Sequence, residues 1–255
     1  MLLVIDVGNT NTVFGLYEGV TLRHQFRVES ARGRTADEYA VTLRTLLDLR
    51  GVSDQAVTAS ALACVVPALS DTFVSVVKRA FGHEPLVVGP GIKTGMPILA
   101  ENPREVGADR IVNSVAAYER EKMGLIVVDF GTATTFDVVS PKGEYLGGVI
   151  CPGIQISADA LFTRAARLPR VEITRPPRTL GRNTVHAMQS GIVLGYVGLV
   201  DGLVARLREE MTFPCKVYAT GGLARVIAPE SRTIEVVDDH LTLDGLRILW
   251  ERNTA

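Results

Sequence analysis

The sequence has little of what marks most specialised protein classes. Only three of its 255 residues are cysteines, Cys64, Cys151 and Cys215, far apart and in apolar surroundings. No CxxC or Cys/His spacing suggests zinc, and the odd count argues against a disulfide framework. Buried free thiols in a reducing cytosol are the expectation. Charge of one sign is missing too: 27 basic against 28 acidic side chains leave a net charge of −1. That offers no footprint for nucleic acid or for a membrane surface. The most apolar long segment, Gly191 to Leu207, is broken by Asp201 and glycines and is short for a bilayer span. Met1 opens directly into an apolar strand with no basic n-region or cleavage site, so no signal peptide is expected and the chain reads as cytoplasmic.

What remains is an ordinary globular composition, 47% hydrophobic and 22% charged. The length allows one large domain or two of roughly 100–150 residues. The stretch that organises the rest is DVGNTNT, Asp6 to Thr12, following an apolar run from Leu2 to Ile5 that reads as a buried strand. Gly8 permits close approach of the backbone to a ligand, and Asn9, Thr10, Asn11 and Thr12 supply short polar groups. A carboxylate followed by glycine and hydroxyls suits a magnesium-bound nucleotide. A Thr-rich hairpin turn without a ligand would give the same letters.

An echo favours the first reading. From Asp129 the chain reads DFGTATTF, again after a buried strand (Leu125 to Val128), at an offset of 129 − 6 = 123 residues. Both copies run acid, apolar, glycine, polar, with threonine in the seventh place (Thr12 and Thr135), and both lead to a second strand and a glycine turn. One strand-hairpin-strand unit in each half implies two similar α/β domains facing one another across a cleft.

Between and beyond these hairpins the pattern alternates strands and helices. Thr35 to Glu38 is a capping box opening a helix that Gly51 ends. Thr58 to Val66 reads as a buried strand, Asp71 to Phe81 as a helix and Leu86 to Val88 as a short strand. Asn102-Pro103-Arg104-Glu105 has the form of a helix start, and GADR, Gly107 to Arg110, precedes a helical pattern to about Met123. On local sequence Asp109 is either a first-turn acid favoured by the helix dipole or a base, and Arg110 either its surface partner or an anion clamp. In the second half Gly147, Gly148 and Gly153 imply close packing or a ligand rim. A helix is expected over roughly 154–167, and a long one from about Thr184, with Asn183 or Thr184 as its cap. Along it Gly191, Gly195, Gly198 and Gly202 line one side, open to core packing or to a dimer seam. Lys216 to Thr220 is strand-like and runs into the Gly221-Gly222 turn.

Taken together, DVGNTNT (6–12), NPREVGADR (102–110), DFGTATTF (129–136), GGVICPG (147–153), GRNTVHAMQSG (181–191) and ATGGLA (219–224) resemble the type III pantothenate kinase family. That family belongs to the superfamily of acetate and sugar kinases, heat-shock chaperones and actin. The resemblance implies two actin-like (ribonuclease H-like) domains, residues 1–122 and 123–255, each a mixed sheet flanked by helices, with the active site in the cleft. It implies ATP-dependent phosphorylation of pantothenate to 4′-phosphopantothenate, with magnesium and a monovalent cation, potassium or ammonium. Asp6, Val7, Gly8, Asn9, Thr10, Asn11, Thr12 and Val13 would form the ATP phosphate loop, with Asp6 near magnesium and Thr132 a second nucleotide contact. Asp129 would hold the monovalent cation. Gly107, Ala108, Asp109 and Arg110 would form the pantothenate site, Asp109 as general base, and Thr184 a further substrate contact linked to a homodimer. One position departs: the family usually carries a tyrosine just before NPRE, and here it is Ala100. A superfamily kinase for another small hydroxy acid, or a nucleotide-binding regulator without turnover, are the alternatives.

Overall fold

The structure is a computed structural model that describes residues 1–254. Its frame is two five-stranded mixed sheets. The first contains β1 (Leu2–Val7), β2 (Asn11–Glu18), β3 (Thr21–Glu29), β4 (Ala59–Cys64) and β5 (Leu86–Val87), in the order β3-β2-β1-β4-β5. The second contains β6 (Leu125–Phe130), β7 (Ala133–Val139), β8 (Tyr145–Pro152), β9 (Lys216–Thr220) and β10 (Val236–Val237), in the order β8-β7-β6-β9-β10. The two orders correspond strand for strand. In each, three antiparallel strands are continued by parallel ones on the side of the first strand. The echo in the sequence is therefore a repeat of a whole sheet.

Among the described residues there are seven α-helices, α1 (Ala36–Asp48), α2 (Pro67–Phe81), α3 (Ala108–Glu121), α4 (Ile154–Arg164), α5 (Thr184–Glu210), α6 (Ala224–Ile227) and α7 (Leu241–Thr254), with three short 3-10 turns between them. The chain forms two compact units. One holds residues 1–96, 101–116 and the chain from 241 on; the other holds 97–100 and 117–240.

In the first unit the period-two rule sends Leu3, Ile5 and Val7 of β1 to one face, with Phe14 and Leu16 of β2. There they meet Tyr39, Leu43 and Leu47 of α1 and Leu69, Phe73, Val76 and Val77 of α2. Burying each large apolar side chain contributes about 1.5–3 kcal/mol. Helix α1 starts where the capping box predicts: the Thr35 hydroxyl accepts from the Glu38 N–H, and the Glu38 carboxylate accepts from the Thr35 N–H at 2.7 Å. Helix α2 begins at Pro67 rather than the expected Asp71, because proline suits the first turn, where no N–H is needed. Helix α7 packs on β1, β2 and β4, and Tyr17 of β2 donates to Asp244 at 2.6 Å.

The second unit repeats the arrangement 123 residues on. Ile126, Val128 and Phe130 occupy the places of Leu3, Ile5 and Val7, and with Phe136 and Val138 they face α4 and α5. Helix α4 stops at Arg164, earlier than the expected 167, where Ala165 turns extended. Helix α5 has a mean hydropathy of 1.5 in its most apolar window, long and apolar enough to cross a membrane by length and composition alone. Here Met188, Ile192, Val193, Val200, Val204 and Leu207 lie in the unit's core. Its Asp201 accepts from the hydroxyls of Ser231 (2.6 Å) and Thr233 (2.8 Å) and from the Arg232 N–H (3.1 Å). Burial alone would raise the Asp201 carboxyl, but these donors together hold it below its ordinary value.

Candidate active site

Each sheet presents one strand-turn-strand with an acid at the end of its central strand. In the first unit Asp6 lies between Val13 of β2 and Ala63 of β4. The turn Gly8-Asn9-Thr10 is closed by the Gly8 N–H donating to the Asn11 carbonyl at 3.1 Å. Asn9, Thr10 and Asn11 are exposed, Gly8 and Val13 half-buried, and Val7 buried. Thr12 shares the buried face with Val7, and its hydroxyl lies 2.9 Å from that of Ser30. Thr12 thus ties the hairpin to the end of β3, where the Ser30 N–H also donates to the Thr10 carbonyl. Cys64 of β4 lies close enough to sense Asp6. Burial foremost, and then the Asp6 charge, push its thiol above the ordinary value, which keeps it a poor nucleophile.

The second hairpin is one residue tighter. Its turn is Gly131-Thr132, closed by the Gly131 N–H on the Ala133 carbonyl at 3.0 Å. Asp129 lies between Thr135 of β7 and Thr220 of β9. Because directly paired residues share a face, Asp129, Thr135 and Asp137 form a polar side of the sheet away from Phe136. Asp137 is fully buried and accepts from Tyr145 at 2.7 Å and from Thr135 at 3.3 Å. Nothing local in the sequence marked this carboxylate. Gly221, which directly follows β9 and has φ +91, lies against the hairpin: a Cβ there would be 2.5 Å from Asp129 Oδ1.

The segment before α3 departs from the expected helix start. Pro103–Glu105 forms a single 3-10 turn, and Asn102 bonds the Glu105 carboxylate at 2.5 Å instead of capping a backbone amide. The long helix starts at Ala108, so Asp109 and Arg110 occupy its first turn, where the helix dipole favours an anion. Asp109 Oδ1 accepts from the Arg110 N–H at 2.8 Å. It also folds back over Gly107, where a Cβ would lie 2.6 Å from that oxygen. Burial pushes the Asp109 carboxyl above its ordinary value, against the pull of the amide and of the Arg110 charge. A half-buried carboxylate with raised proton affinity, held by its own backbone, is suited to taking a proton.

Thr184 opens α5 in the second unit; Asn183 is the cap, its side chain accepting from the His186 N–H at 2.8 Å. Thr184 lines a groove of about 820 Å³ with Leu161, Leu168, Met188, Ile192 and Tyr196, whereas Asp129 and Thr132 do not. The four glycines of α5 are exposed, and nothing lies within 4 Å of where a Cβ would stand on any of them. No neighbour among the described residues requires glycine at these four positions.

Among the described residues no three His, Cys, Asp or Glu side chains cluster as a metal cage. Asp6, followed by the exposed polar turn Asn9-Thr10-Asn11, has the donor chemistry of a magnesium ion held by one or two carboxylates and by phosphate oxygens.

Paired five-stranded sheets, each with an acid-glycine hairpin on its central strand, define the actin-like fold of sugar kinases. A polyphosphate/ATP-glucomannokinase from an Arthrobacter species has this fold, with a TM-score of 0.53, 13% identity and 98% of each chain covered. A Campylobacter jejuni protein named as a Baf family transcriptional activator is similar at TM-score 0.62, 21% identity and 98% coverage of each chain. Both likenesses concern the fold alone. A sequence model described as type III pantothenate kinase matches residues 2–206. The type III pantothenate kinase of Anaeromyxobacter sp. strain Fw109-5 is 63% identical over 253 residues, covering 99% of this chain and 100% of the relative. The chain belongs to the type III pantothenate kinase family.

Proposed function

We propose that the protein transfers the γ-phosphoryl group of ATP to the primary hydroxyl of pantothenate, giving 4′-phosphopantothenate, the first step of coenzyme A biosynthesis. Family membership along the whole chain supports the substrate pair. The observation that carries the mechanism is Asp109, a carboxylate of raised proton affinity in the first turn of α3. In this reading Asp109 accepts the proton of the attacking hydroxyl, while Gly107, Ala108 and Arg110 hold the acceptor, Arg110 through its planar guanidinium on the substrate carboxylate. The hairpin of residues 6–13 receives the ATP phosphates at its exposed turn, with magnesium beside Asp6 and Thr12 tying the hairpin to Ser30, and Thr132 makes a second nucleotide contact. Asp129 holds potassium or ammonium. Bound cations supply charge neutralisation; the rest of the catalysis is positioning, as phosphoryl transfer through a loose transition state requires.

Thr184 adds a substrate contact, and the open glycine side of α5 is the seam of a homodimer. The enzyme works in the cytoplasm. The test is a coupled ADP-release assay with ATP, magnesium and pantothenate, with and without potassium, on wild type and Asp109→Asn. Potassium-dependent turnover that collapses in the variant is the expected result. No turnover with pantothenate, but turnover with another small hydroxy acid, would mean that Ala100 accompanies a changed acceptor. Nucleotide binding without turnover on any acceptor would make the protein a regulator.

A further inference from the structure

The second hairpin is held from behind by a relay that begins on α5. Tyr196 donates its hydroxyl proton to the Pro152 carbonyl at 2.9 Å, and the Ser157 hydroxyl lies 2.6 Å from the Tyr196 hydroxyl oxygen. A phenol has one proton to give, so Ser157 is the donor in the second bond. These two contacts bracket Gly153, the cap residue of α4. The Ser157 N–H donates to the Gly153 carbonyl at 3.0 Å, and the Gly153 N–H donates to the Thr132 carbonyl at 3.1 Å.

Gly153 has φ −72 and ψ 157, which any residue can adopt. Its requirement for glycine is steric. A Cβ there would stand 2.6 Å from the Gly131 carbonyl oxygen and 2.7 Å from the Thr132 carbonyl carbon. The Gly131-Thr132 turn is thus seated directly on the Gly153 peptide, and the Tyr196 hydroxyl fixes the strand-to-helix junction that carries it.

We infer that Tyr196 is a positioning residue for the nucleotide: through Pro152, Ser157 and Gly153 it holds the Gly131-Thr132 turn in its binding conformation. This rests on the proposed reading that Thr132 contacts ATP. Without the hydroxyl the junction keeps its shape but gains freedom, and that freedom is removed when nucleotide binds. The effect therefore falls on nucleotide affinity and leaves the acceptor's affinity alone.

Tyr196→Phe removes one O–H and keeps the ring. The readouts are direct titration with a non-hydrolysable ATP analogue, KM for ATP and for pantothenate, and a thermal melt. The expected result is a two- to tenfold weaker analogue affinity, roughly the factor one neutral hydrogen bond controls. KM for ATP should rise in parallel, with KM for pantothenate and kcat unchanged. Ser157→Ala, which removes only the second contact, should shift analogue affinity in the same direction by less. Thr132→Ala separates the two layers of the argument. If Thr132→Ala weakens the analogue and Tyr196→Phe does not, the relay is wrong while the hairpin's role stands. If neither weakens it, both fall. A Tyr196→Phe protein that only melts lower, or whose two KM values rise together, would reduce Tyr196 to a fold-stabilising residue and overturn the inference.

Discussion

Alanine at position 221 puts a methyl group where the second hairpin leaves no room. Gly221 has φ +91, a left-handed conformation that costs a residue with a Cβ about 1–2 kcal/mol. The new carbon would stand 2.5 Å from Asp129 Oδ1 and 2.7 Å from the backbone N and C of Phe130. Non-bonded carbon contacts settle at about 3.5–4.0 Å. Two of these three neighbours are backbone atoms of the central strand and cannot swing aside, so relief comes from shifting the strand, at about 1–3 kcal/mol. The sum is about 2–5 kcal/mol. For a chain of this size that lowers Tm by roughly 4–20 °C. A thermal melt by circular dichroism reads it directly. The matched control is Gly33→Ala, an exposed position with nothing within 4 Å, expected to leave Tm unchanged or slightly raised. Because the closest contact is the Asp129 carboxylate, half-maximal activation should also need more potassium. A Gly221→Ala protein with wild-type Tm and wild-type potassium dependence would refute the steric argument.

Three further outcomes follow from the same geometry. The Asp109 carboxyl is raised by burial, so its folded-state contribution is favourable only in acid and is lost as pH rises through its folded pKa. Asp109→Asn should therefore raise Tm at neutral pH, with the gain fading towards about pH 4, while turnover falls about 10²–10⁴-fold; a lower Tm at neutral pH would contradict the buried-carboxylate account. In wild type the acid limb of kcat/KM should lie above the ordinary carboxylate range. Asp201 is lowered, so its contribution is present above its unfolded pKa and disappears as pH falls through the folded one. Asp201→Ala should cost about 1–3 kcal/mol at neutral pH, after discounting for its partial exposure, and the gap to wild type should close in acid; a gap independent of pH would mean the carboxylate's charge is irrelevant. Light scattering should give wild type twice the 27.5 kDa of one chain, and Gly198→Leu should give the single-chain mass with an unchanged circular dichroism spectrum. A fully active wild-type monomer would remove the seam.

Much of this was legible because the signal is local and doubled. The acids at 6 and 129, with apolar residues alternating before them, announce two central strands, and the same offset aligns Leu3, Ile5 and Val7 with Ile126, Val128 and Phe130. The capping box at Thr35 and the cap of α5 are short-range hydrogen-bond patterns, so the first was legible outright and the second to within one residue, Asn183 or Thr184, of which the structure has Asn183. Long-range ties were not legible. Helix α7 belongs to the first unit through contacts such as Tyr17 with Asp244, 227 residues apart, and no local pattern encodes that partnership. Tyr196 reads as one more residue of an apolar helix until Pro152 is found beside it. Asp137 sits in a run that reads as plain strand, and only Tyr145 across the hairpin explains how its carboxylate is buried. Thr12 reads as a phosphate contact by its motif, yet its hydroxyl meets Ser30 on the buried face. In that case pleat geometry decides which way the side chain points, and the motif does not.

The most direct test of the central claim is phosphorus NMR on purified protein with ATP, magnesium, potassium and pantothenate. The account predicts a new phosphomonoester resonance that grows in step with ADP, carries the phosphorus lost from the γ position, and is absent with Asp109→Asn. ATP consumed to ADP and inorganic phosphate with no phosphomonoester, or no consumption despite bound nucleotide, would contradict it.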